Sequence, residues 1–188
     1  IRVKYNSLID SLLINQIGFS SAGINTSNNT LTINSHELKT GDKVYYDCTN
    51  QISSGLETGG YFVYKIDDNN IKLSDTLLDS KSIPPKIVNI SSVGVGTHQL
   101  SLINPPISVV KNNSLVFDLS DSSLTGLEFK IYQDHNFDND FVSTGATTVS
   151  VVSTSGTIGV TSTASLTINY SPTNPVNLFY NVEKSGFI

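Results

Sequence analysis

"GYFVYKIDDNNIKLSD", residues 60–75, alternates its large side chains with a period of two. Tyr61, Val63 and Lys65 fall on one face, with Phe62, Tyr64 and Ile66 on the other. That is the pattern of a β-strand, whose successive side chains point to opposite faces. The run stops at "DDNN", residues that bond local backbone and tolerate positive φ, and resumes with "IKL". Two alternating runs around such a turn predict a β-hairpin.

The same period recurs on both sides. "NTLTIN" (29–34) sets Leu31 and Ile33 on one face, and "KVYYD" (43–47) does so with Val44 and Tyr46. "KIVNI" (86–90) and "THQLSLI" (97–103) complete about six short strands, as a small β-barrel or sandwich requires. "NPP" (104–106) is a break that neither a helix nor a central strand accepts. Beyond it, "LVFDLSD", "LEFKIYQ", "TTVSVVS", "ASLTINY" and "VNLFYNV" alternate again, predicting a second all-β unit. Residues 1–22 stand apart: Leu8, Ile9, Leu12 and Leu13 are near helical spacing, and Ser7 and Asp10 are placed like a capping box. They read as a short N-terminal arm or helix whose apolar residues pack against a neighbouring chain. The expected organisation is therefore an arm over 1–22, a small all-β module over 23–104 and a β-sandwich over 105–188.

The composition supports strands and polar turns. Charged residues make up 14% of the 188 residues, against about 25% in an average globular chain. Ser, Thr and Asn together fill about a third of it. A net charge of -5 with a single arginine, Arg2, argues against a phosphate-binding surface and hence against nucleic acid as a partner. No apolar run approaches the length of a membrane span. The lone Cys48 closes no intrachain disulfide, and a start at Ile1 reads as a processed product or a fragment.

Candidate chemistry is sparse. "SHELKTGDKVYY" (35–46) gathers His36, Glu37, Lys39 and Asp42, yet His36 has no second histidine at helical spacing. It reads as a turn in which Gly41 takes positive φ and Asp42 bonds backbone amides. In "DHNFDND", Asp134, Asn136, Asp138 and Asp140 alternate like the first oxygen donors of a calcium loop. The sixth and twelfth positions hold Asn139 and Gly145 instead of the required Gly and Glu. The expectation is thus no metal site and no cofactor, with Ca²⁺ at the 134–140 loop as the remaining option. No G-x-S-x-G, P-loop, dinucleotide or H-E-x-x-H pattern occurs, so no catalytic residue is assigned.

Three stretches taken together carry a resemblance. "SHELKTGDKVYYD" followed by "GGYFVYKIDDNNIKLSDTLLDS" resembles a small β-module of large virion proteins of tailed bacteriophages, those of cyanophages and marine phages especially. "VGVGTHQLSLINPPISVVKNN" is similar to the linker that follows it there. "LVFDLSDSSLTGLEFKIYQD" with "NLFYNVEKSGFI" is similar to a Greek-key-like, cupredoxin-like sandwich in the same proteins. The likeness covers residues 30–188. Copper is not implied: Tyr180, Asn181, Val182 and Glu183 fill the last strand, the chain has no Met, and Cys48 lies in the other module. What the resemblance implies is a non-enzymatic structural protein of the virion, in the tail, baseplate or a fibre rather than the neck or capsid surface. Its partners would be other virion proteins and copies of itself. The alternative is an adhesion module whose loops 50–60 and 133–146 bind host-surface glycan.

Overall fold

The computed structural model describes residues 1–50, 55–110, 112–139, 141, 152–170 and 177–184. Over the described residues the fold is all-β, with one short α-helix. It divides into two compact units, one of residues 15–105 and one of residues 1–14 with 106–188. The expected boundaries lay at 23 and 105, with the first 22 residues set apart.

In the unit of residues 15–105 the strands are β2 (Ser11–Ser20, from residue 15 on), β3 (Ile24–Asn25), β4 (Thr30–Thr32), β5 (Lys43–Cys48), β6 (Gly59–Lys65), β7 (Asn70–Ser74) and β8 (Thr97–Ile103). They form a sheet in the order β2-β8-β5-β6-β7-β4-β3. Laid flat, seven strands spaced by about 4.8 Å would hold the outer two roughly 29 Å apart. Yet β2 and β3 are joined by one 3-10 turn, Ser21–Gly23, and three residues reach only about 10 Å. The sheet must therefore roll until its edges meet, which makes a small barrel with a seam at that turn. Inside lies one apolar core that includes Phe19, Leu31, Val44, Val63, Leu73 and Leu100.

The hairpin that opened the reading is β6–β7, with Val63 opposite Leu73 and Lys65 opposite Ile71. Its turn is built differently from the expectation: none of residues 67–70 has positive φ. Asp67 closes it instead. Its carboxylate accepts the Asn69 amide at 2.8 Å and the Asn70 side-chain amide at 3.0 Å. Two further departures lie beyond it. Residues 86–90 form no strand; Val88 N–H bonds Leu73 O at 2.8 Å and Ile90 is buried, but the pairing does not extend. Before them sits α1 (Leu77–Lys81), capped by Thr76, whose hydroxyl accepts the Asp79 amide.

The other unit joins β1 (Val3–Asn6) and the first residues of β2 to β9 (Ser114–Asp118), β10 (Leu127–Tyr132), β11 (Val152–Ser155), β12 (Ser165–Asn169) and β13 (Phe179–Lys184). Two sheets result, β11-β12-β9 and β10-β13. β9 pairs with β12 and β10 with β13, each three strands on, so the two pairings interleave. The inner faces meet through aromatic rings: Phe117 of β9 lies 4.9 Å from Phe129 of β10 and 6.1 Å from Tyr180 of β13. This contact between sheets makes the unit a sandwich.

The first residues are neither helix nor free arm. β1 and β2 form an antiparallel hairpin, Val3 opposite Ile14 and Asn6 opposite Ser11. Asp10 turns it with φ +45 and accepts the Tyr5 hydroxyl at 2.6 Å. Val3, Leu12 and Ile14 are buried within the chain itself, whereas Leu8 is 85% exposed. Ahead of β1, the Ile1 ammonium donates to Val116 O at 2.8 Å and Asp118 N–H donates to Ile1 O at 2.7 Å. Arg2 bridges Asp118 in parallel, adding the chain start to β9.

Candidate functional site

The stretch 35–42 is bonded to the β6–β7 hairpin at both of its ends, through residues 35–36 and 40–42. His36 N–H donates to Asp68 O at 3.2 Å, and Ser35 N–H donates to the Asn69 side chain at 2.9 Å. Thr40 Oγ1 accepts Lys65 N–H at 2.9 Å, while Gly41 N–H donates to Val63 O at 2.8 Å. Gly41 has φ +96, and Asp42 Oδ2 accepts the Lys39 amide at 2.8 Å, as the turn reading expects.

His36 is 3% exposed. Its Nδ1 accepts Leu38 N–H at 2.9 Å, so the ring proton sits on Nε2, which donates to Asp67 O at 2.9 Å. Both nitrogens are occupied by backbone, which leaves none for a metal or a substrate. His36→Ala should cost about 1–3 kcal/mol, because a buried Leu38 N–H then lacks its acceptor. Urea unfolding followed by far-UV circular dichroism measures it, and a loss below about 0.5 kcal/mol would contradict this role.

A second buried cluster was missed at the level of sequence. His98 of β8 is fully buried, with Nδ1 2.6 Å from Tyr46 Oη and Nε2 3.1 Å from Ser21 Oγ. Its ring lies near-parallel to those of Phe19, 5.4 Å away, and Tyr46, 5.9 Å away. Burial holds its pKa below the ordinary histidine value. The signal was present: in "THQLSLI" the alternation places His98 on the face of Leu100, towards the core.

In the 134–140 loop, Asp134 is engaged by its own backbone. Its Oδ1 accepts the amides of Asn136 at 3.0 Å and Asp138 at 3.2 Å, and its Oδ2 accepts that of Asn139 at 2.8 Å. Partial burial pushes its pKa up, but these amides outweigh it and the net shift is down. The bonds curl the loop so that Phe137, at φ +63, meets Tyr132 edge-on at 5.1 Å. His135 turns to Phe179, 6.4 Å away. Asp140 and Gly145 lie outside the described residues. Among the described residues no three His, Cys, Asp or Glu side chains gather as a metal site would need.

On the outer face of β10–β13, Lys130 Nζ is 2.7 Å from Glu183 Oε2, and the Tyr132 hydroxyl bonds the same carboxylate. Lys130 first and Tyr132 second hold the Glu183 pKa low. At the chain start, Asp121 caps Ser122–Leu124 through Ser123 N–H at 3.1 Å and sits 3.6 Å from Arg2 and 3.5 Å from Lys4. All these charges join one strand or turn to the next. No helix among the described residues is long and apolar enough to cross a membrane. Compared with family models, curated proteins and solved structures, the chain matches none of them.

Proposed function

We propose that this chain is a non-enzymatic structural protein of a tailed-bacteriophage virion, in the tail, baseplate or a fibre rather than the neck or capsid surface. It works by keeping its place against other virion proteins and copies of itself. One observation carries the reading. Residues 35–42, half of the motif pair behind the resemblance, are bonded at both ends to residues 63–69 of the other half. The chemically capable residues of that motif, His36 and Asp42, brace the hairpin. A part whose role is to hold a shape in an assembly needs such bracing and no reactive group.

The adhesion reading has one observation in its favour: Phe137, 39% exposed, stands beside exposed Asn136 and Asp138, a pairing of ring and polar groups suited to a sugar. Mass spectrometry of purified particles decides the main proposal. Peptides of this chain should be present at a copy number matching ring or fibre symmetry. Their absence from particles, with the chain abundant in infected cells, would overturn it.

A further inference from the structure

His98 sits where the barrel of residues 15–105 closes. Ser21, its Nε2 partner, belongs to the turn joining the two outer strands; Phe19, stacked on its ring, ends β2; and Tyr46, its Nδ1 partner, lies on β5. Both hydrogen-bond partners are hydroxyls, which satisfy the neutral ring in either tautomer and offer a protonated ring no negative charge. Among the described residues its ring meets Phe19 from β2, Ser21 from the turn and Tyr46 from β5, and Cys48 of β5 is its cross-strand partner. None of these is a carboxylate. A charge placed there is buried and uncompensated. Ser21 is itself half-buried, between exposed Ser20 and Ala22.

We propose that His98 is an acid-sensitive latch on the barrel seam. In mild acid the ring takes up a proton only when the Ser21–Gly23 turn and the end of β2 lift away and let water reach it. The seam then opens and bares Phe19, while the β6–β7 hairpin stays closed. This stands on the fold alone and does not depend on the virion reading.

The direction follows from linkage. The folded ring holds its proton less tightly than the unfolded one. Stability is therefore full above the unfolded histidine value of about 6.5 and falls as pH drops from there towards the depressed folded value. Urea unfolding of the full chain at pH 7.5 and 5.5 avoids most carboxylate titration. The unfolding constant of this unit should rise several-fold at the lower pH. His98→Gln should remove most of that rise. An unchanged rise in His98→Gln would overturn the proposal. A wild-type measurement stands independently of whether the variants fold: the His98 ring proton followed by NMR should titrate below about 6.5. A midpoint at or above that value refutes the latch. Hydrogen exchange, corrected for intrinsic rate, should increase at residues 17–23 before residues 61–73. The reverse order would also refute it.

Discussion

Phe117→Ala should destabilise the unit of residues 1–14 and 106–188 by about 3–5 kcal/mol, the range for emptying a buried aromatic site. Phe117 is 1% exposed and touches both partners across the sandwich, Phe129 at 4.9 Å and Tyr180 at 6.1 Å. Those two rings are themselves 6.1 Å apart and come from the paired strands β10 and β13. They cannot both move into the vacated space without breaking that pairing, so most of the cavity remains. The chain has no Trp, so far-UV circular dichroism in urea is the suitable measurement. Val116→Ala, next to it on β9 and 44% exposed, supplies the control at about 0.5 kcal/mol. If the two variants lose the same amount, the rings do not hold the sheets together.

Gly159→Ala should cost about 3 kcal/mol or more in the same unit. Gly159 has φ +71, where an alanine is strained by about 1–3 kcal/mol. The added methyl would also lie 2.3 Å from Thr125 N and 2.7 Å from Leu124 C. Those atoms are backbone and cannot rotate aside. The crossing is fixed from both sides, since Gly159 N–H donates to Leu119 O at 2.9 Å and Gly159 O accepts the Thr125 hydroxyl at 2.9 Å. Gly126→Ala separates strain from collision: φ there is +77, but nothing lies within 4 Å of the new carbon. It should cost only the strain, about 1–2 kcal/mol. Equal losses would mean that the close approach to Thr125 is relieved by a backbone shift.

What could be read from the sequence follows from how local each determinant is. The 60–75 hairpin was legible because one face is buried: Tyr61, Val63, Ile71 and Leu73 point inward, and a period of two survives in any window that contains them. The 35–42 turn was legible because Gly41 and Asp42 act within a few residues of themselves. The first 20 residues misled because Leu8, Ile9, Leu12 and Leu13 fit a helix nearly as well as a strand. The strand prevails through Val3 opposite Ile14, and through β9, more than 100 residues away, which holds the chain start. The His98 cluster draws on β2, β5 and β8, and no local pattern names Ser21 or Tyr46 as its partners. The bonds that join the 35–42 turn to the hairpin, such as Gly41 N–H to Val63 O, tie together segments that each look self-sufficient when read alone.

One consequence of the discontinuous unit concerns synthesis. Residues 15–105 are contiguous, whereas residues 1–14 share a compact body with 106–188. As the chain leaves the ribosome, the barrel strands emerge together, while β1 must wait some 100 residues for β9. Domains tend to fold in the order they are made. The barrel can thus be finished first, while residues 1–6 wait for β9 and the Ser122–Leu124 turn to reach them.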